Sequence, residues 1–169
     1  ACNIAIGSSA FTGGTTSCDN IAIGRSALSG SVACGGSGQA ENNIALGKTA
    51  MSGLTTGSNN IGIGNNAAGG GALTGNQNTA IGYLAGDALT SGACNIAIGF
   101  DALGASTDGN DNIAIGKSAL AASAGVGDSN IAIGNVAMGG ADVSGHNNIA
   151  MGDNSMDALT SGLYNVAIG

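Results

Sequence analysis

The chain has no proline, no tryptophan, a single histidine, three Lys+Arg, two tyrosines and two phenylalanines in 169 residues. Each scarcity excludes something. Aromatic side chains carry much of the buried area of an ordinary globular core, so a chain that is 2% aromatic does not build one of that kind. Three cations against ten acids leave a net charge of −7. That is too little positive charge to displace counterions from a nucleic acid or to dock on anionic lipid. No apolar run approaches the ~18 residues that span a bilayer, so no membrane insertion is expected in this segment. The four cysteines form no CxxC and stand near no His cluster, so no metal is expected. The glycine-rich stretch Gly69-Gly70-Gly71 lacks the Lys-Ser/Thr of a phosphate loop. No cofactor is expected.

What is present is a repeat. The pentad Asn-Ile-Ala-Ile-Gly, or a close variant, starts at Asn3, Asn20, Asn43, Asn60, Asn78, Asn95, Asn112, Asn130, Asn148 and Asn165. The intervals are 17, 23, 17, 18, 17, 17, 18, 18 and 17 residues. The one long interval carries extra residues near 30–39, read as an extended loop. The pentad always ends in glycine: Gly7, Gly24, Gly47, Gly64, Gly82, Gly99, Gly116, Gly134, Gly152 and Gly169. Its middle three positions alternate large, small, large, the period-2 signature of a strand. A near-constant period of this length marks stacked structural units. The sequence therefore predicts an all-β parallel β-solenoid of about ten 17–18-residue coils, residues 1–169 forming one domain. A weaker second strand is expected after each glycine, around the small column Ala27, Ala50 and Ala67, followed by a Thr/Ser/Gly/Asn turn.

The stacking logic follows from the strand spacing of ~4.8 Å. The asparagines are expected to form an amide ladder, as in cross-β stacks. The glycines are expected at corners, through positive φ or close backbone approach. The second and fourth pentad positions are expected to point into the coil. The third-position alanines are then expected to face outward and pack against another copy of the rod, because long apolar stripes mark interfaces.

Few residues carry chemistry. Cys2, Cys18 and Cys34 are spaced 16 apart, close to one coil, which could place either neighbouring pair within the ~7 Å Cα separation a disulfide requires. His146 stands in a polar turn, and a nucleophile needs a base beside it; the acids scatter through turns rather than converging. Asp108 and Asp111 share one turn, an ordinary Asp/Asn/Gly connector that could at most hold a weak calcium. No catalytic residue is assigned. Tyr83 and Phe100 occupy the same position in consecutive coils, where stacked rings could contact a glycan.

The unit Asn-Ile-Ala-Ile-Gly-x-x-Ala-Leu…Thr-x-Gly-x-Asn resembles the NTAIG-x-x-AL repeats of phage tail fibres and related bacterial surface fibres. It is also similar to the head repeats of trimeric autotransporter adhesins, whose coils are shorter. The resemblance covers essentially the whole chain. It implies a homotrimeric, extracellular β-roll or β-helix, on a virion tail or a bacterial surface, of which this chain is expected to be a section. The expected role is a structural fibre segment giving stiff reach and displaying turns for attachment. The alternative is a carbohydrate-binding adhesin module with a cell-surface glycan as partner. A remote third reading, an ice-binding solenoid, would need a regular Thr rank, and Thr15-Thr16 and Thr55-Thr56 do not recur coil after coil.

Overall fold

The computed structural model describes residues 2–13, 19–30, 40–122, 125, 127–141 and 143–169. The expected loop over 31–39 lies outside them. Among the described residues there are ten strands and no helix. The strands are β1 (Ile4–Ile6), β2 (Ile21–Ile23), β3 (Ile44–Leu46), β4 (Ile61–Ile63) and β5 (Thr79–Ile81), then β6 (Ile96–Ile98), β7 (Ile113–Ile115), β8 (Ile131–Ile133), β9 (Ile149–Met151) and β10 (Val166–Ile168). They form one parallel sheet in sequential order. Every register places like on like, for example Ile96 beside Ile113 and Ala97 beside Ala114. Nine strand steps of ~4.8 Å make a rod of roughly 45 Å.

Each strand is only three residues long because its flanks leave the β region. From Asp19 to Tyr164 the residue before each pentad asparagine has positive φ, as in Asn59 at 61°, Cys94 at 60° and Ser129 at 61°. The pentad glycines have φ between 127° and 138°. A Cβ on Gly82 would lie 2.3 Å from the carbonyl oxygen of Gly99. Conformation and space thus both demand glycine there.

The expected second strand is absent. That segment is a run of turns in which the seventh and ninth residues counted from each asparagine take the left-handed conformation, as in Thr49 (55°) and Met51 (48°). The alternation lets the segment bond to both neighbouring coils. Thr49 N–H donates to Arg25 O at 2.9 Å, and Met51 N–H donates to Ala67 O at 2.9 Å. Non-glycine residues pay about 1–2 kcal/mol each in this region, which the inter-coil bonds, at about 1 kcal/mol net each, help to offset.

The side-chain directions are the reverse of those expected from the sequence. The third-position alanines, Ala22, Ala45, Ala80, Ala97, Ala114, Ala132 and Ala150, are fully buried. The flanking isoleucines face outward, partly or fully exposed. The reason is width. A coil with this many tight left-handed corners brings its walls so close that the interior admits little more than a Cβ. An alanine-sized group at Gly86 would meet the Ala80 Cβ at 3.5 Å. The core is therefore two alanine columns, including Ala27, Ala50 and Ala67, closed at one end by Leu28, Met51, Leu103, Leu120 and Met138 and by Leu54, Leu73, Leu89 and Val143. At the exception in the alanine column, Gly62, an added Cβ would lie 2.9 Å from Met51 Cγ and 3.1 Å from the Ala67 carbonyl oxygen.

Candidate functional site

The buried asparagines form a continuous ladder. The Oδ1 of each accepts the main-chain N–H of the asparagine in the next coil: Asn43 to Asn60 at 2.8 Å, Asn60 to Asn78 at 2.8 Å, Asn78 to Asn95 at 3.0 Å, Asn95 to Asn112 at 3.0 Å. The same contact joins Asn3 to Asn20, Asn20 to Asn43, Asn112 to Asn130, Asn130 to Asn148 and Asn148 to Asn165. In Asn43, Asn78, Asn95 and Asn148 the Nδ2 group bonds both the Oδ1 before it and the carbonyl of a turn in the coil after it, as Asn95 Nδ2 does with Asn78 Oδ1 (3.0 Å) and Gly109 O (2.7 Å); Asn112 Nδ2 is buried without a partner. Asparagine is the side chain that offers this acceptor and two donors at this length.

The turn carbonyls belong to a second glycine column, Gly57, Gly75, Gly92, Gly109, Gly127, Gly145 and Gly162, always three residues before an asparagine. A Cβ on Gly75 would collide with Gly92 O, and one on Gly145 with Gly162 O. Along the sequence alone they are ordinary turn glycines. The fixed offset from the asparagine was the signal available. A further polar ladder runs two residues before most of the asparagines, broken at Ala93 and Leu163. Asn76 Oδ1 accepts the Ser58 N–H at 2.7 Å, Asp128 Oδ1 accepts the Asn110 N–H at 2.8 Å, and His146 Nδ1 accepts the Asp128 N–H at 2.8 Å. His146 is thereby a turn-capping group, 3.9 Å from the Asp128 carboxylate. Beside it lies a shallow cleft of about 310 Å³ lined by Asp108, Asn110, Asp128, Ser144 and His146. Among the described residues no three His, Cys, Asp or Glu converge as metal ligands.

Two exposed faces remain. The first is the outer face of the sheet, two columns of Ile-class side chains running through every coil, interrupted only by Thr79. The second is the row immediately after the pentad glycines: Ser8, Arg25, Lys48, Asn65, Tyr83, Phe100, Lys117, Asn135 and Asp153, all exposed. Tyr83 and Phe100 stand together there, ring centroids 5.5 Å apart and planes 25° from parallel, each about half exposed (48% and 49%). Behind them, burial pushes the Asp101 carboxyl above the usual aspartate range. Asp87 is raised by burial first and by the charge of Asp101, against the Gly70 N–H and the Asn66 amide, which favour its ionised form.

Cys2 and Cys94 carry free, exposed thiols, so the expected Cys2–Cys18 bridge is not formed; Cys18 and Cys34 lie outside the described residues, and with them the alternative Cys18–Cys34 bridge. Cys94 stands in the left-handed position before Asn95 and its Sγ–H donates to Gln77 Oε1 at 3.3 Å. No helix among the described residues is long and apolar enough to cross a membrane. Comparison with protein-family models, with curated proteins and with solved structures finds no match.

Proposed function

We propose that the chain is a structural segment of an extracellular fibre, on a virion tail or a bacterial surface, in which copies pack side by side as a homotrimer. The observation that carries this reading is the outward double column of isoleucine. A stripe two Ile-class residues wide and roughly 45 Å long exceeds what a solitary soluble chain leaves in water, and such patches mark interfaces. Shape supports it as well. Every coil is bonded to both neighbours through its strand, its asparagine and its turns, which makes the unit stiff along its axis and poor in protease-accessible ends. The work is mechanical: reach, with variable turns displayed along the rod. The expected interface moves from the alanine column, which is interior, to the isoleucine columns, which are not.

The measurement is particle mass by light scattering together with electron microscopy of the isolated chain. The expected result is a rod of three times the 15.8 kDa chain mass. A monodisperse monomer at micromolar concentration would overturn the reading. A second role, glycan attachment, is favoured by the stacked Tyr83–Phe100 pair.

A further inference from the structure

All three cations of this acidic chain, Arg25, Lys48 and Lys117, fall in one column, the row that follows the pentad glycines. It is the same column that holds Tyr83, Phe100 and Asn65. The cations are exposed, and none of them is ion-paired with a described residue, although ten acids are on the chain. The row lies on one straight line, because the strands beside it are in strict register. Its order along the rod is Arg25, Lys48, Asn65, Tyr83, Phe100, Lys117, one residue per coil. From Lys48 to Lys117 is four coil steps, about 19 Å at ~4.8 Å each.

We propose that this row is a binding strip for a linear anionic polysaccharide of the uronate class, laid parallel to the rod axis. The proposal deepens the glycan-attachment role above and rests on the fibre reading only in that the row must stay exposed in the assembly. Three features select the ligand. The paired rings of Tyr83 and Phe100 offer a half-open apolar surface with the negative π face on which the C–H bonds of a pyranose rest. An extended sugar chain advances by close to one coil step per ring, so successive rings sit over successive row residues. In an alternating uronate polymer the carboxylates recur every second ring, and Lys48 and Lys117 stand two such repeats apart with the aromatic pair beneath the rings between them. Arg25 extends the line by one more coil and presents a fork suited to a carboxylate. Asn65, adjacent to Tyr83, supplies a donor and an acceptor for ring hydroxyls. A nucleic acid, with a phosphate on every residue, fits the row poorly: three cations spread over five coil steps, about 24 Å, on a chain of net charge −7 leave most phosphates uncompensated.

The strip is also fixed before a ligand arrives. The carbonyls of Tyr83, Phe100 and Lys48 accept the N–H groups of Asp101 (3.0 Å), Ser118 (2.8 Å) and Asn66 (3.0 Å) in the neighbouring coils. Little backbone ordering is left to oppose binding. At the far end of the row Asp153 caps the Asn135 N–H at 3.2 Å, and its negative charge terminates the strip on that side.

The test uses the full chain with hyaluronan oligosaccharides, in which glucuronate alternates with a neutral sugar, their methyl ester and oligothymidylate as probes, read by calorimetry, with particle mass recorded on each preparation. The charged oligomer is expected to bind more tightly than the ester. Lys48→Gln and Lys117→Gln are each expected to weaken it about tenfold and to leave the ester unchanged. Tyr83→Ala with Phe100→Ala is expected to weaken both sugars. Equal affinity for charged and esterified oligomers, or indifference to both lysine variants, overturns the proposal. Tighter binding of oligothymidylate overturns it in favour of single-stranded nucleic acid. A changed particle mass in the aromatic variant overturns it in favour of a contact between copies. A monomeric wild type that still binds the charged oligomer through Lys48 and Lys117 would sink the fibre reading and leave the strip standing.

Discussion

Asparagine at the head of each coil is the residue whose loss the rod can least absorb. Replacing Asn95 with alanine leaves the Asn112 N–H and the Gly109 carbonyl without a partner and strips the Asn78 Oδ1 of its side-chain donor, leaving it only the main-chain N–H of residue 95. At about 1–3 kcal/mol for each buried group left unsatisfied, the variant is expected to lose several kcal/mol, measured as a lower denaturant midpoint. The interior tests differently. Gly62→Ala puts a methyl 2.9 Å from Met51 Cγ, on a flexible side chain, and 3.1 Å from the Ala67 carbonyl oxygen. The substitution should be mildly destabilising alone and better tolerated with Met51→Ala, with a coupling of about 1 kcal/mol in a double-mutant cycle. Gly82→Ala has no such remedy, because its obstacle is the Gly99 carbonyl. The ionisable residues give a pH signature. Asp101 is raised by burial, so the native state holds its proton more tightly than the unfolded chain. The wild type is therefore penalised once the pH passes above the usual aspartate range and is free of that penalty below it. Asp101→Asn is expected to raise Tm at pH 7 and to match the wild type in acid below that range, as thermal scans at the two pH values would show.

At the scale of the element, the three-residue strand is the unit, and its two faces have opposite tolerances. Ala97 is interior and Ile98 is outward. Ala97→Val adds bulk to a core that has no room and is expected to cost about 1–3 kcal/mol. Ile98→Ser leaves the coil's own packing intact and is expected to keep the circular dichroism of the chain while shifting the particle toward monomer. Had the isoleucines been interior, the two outcomes would be exchanged, so the pair of variants separates the two arrangements by dichroism and mass alone. The period, the strand position and the parallel stacking were readable from the pentad, because alternation and a fixed repeat depend on residue order. Which face of the strand turns inward was not. Alternation says only that neighbours point to opposite sides; the choice between them rests on the width of the coil, and that width is set by left-handed residues such as Thr49, Met51, Leu103 and Val136. Nothing in their side chains announces that conformation, which β-branched residues ordinarily avoid.

For the whole molecule, stability is a sum over coils and their contacts, as in other solenoids. Deleting residues 60–77, one full period from Asn60 to Gln77, joins Asn59 to Asn78 in the same register. The shortened rod is expected to fold, with a modestly lower Tm. Deleting half that span misaligns the asparagine ladder and both glycine columns, and is expected to abolish cooperative unfolding in a thermal scan. The sequence by itself determined the repeat, the asparagine and glycine columns and the parallel solenoid, since each follows from identical residues falling at identical places along the coil. Only the tertiary structure decided that alanine fills the interior and isoleucine the surface, and that the rings of Tyr83 and Phe100 stack on an exposed row. Those facts belong to the cross-section of the coil and to the alignment of its neighbours, neither of which exists until the backbone has closed its turn.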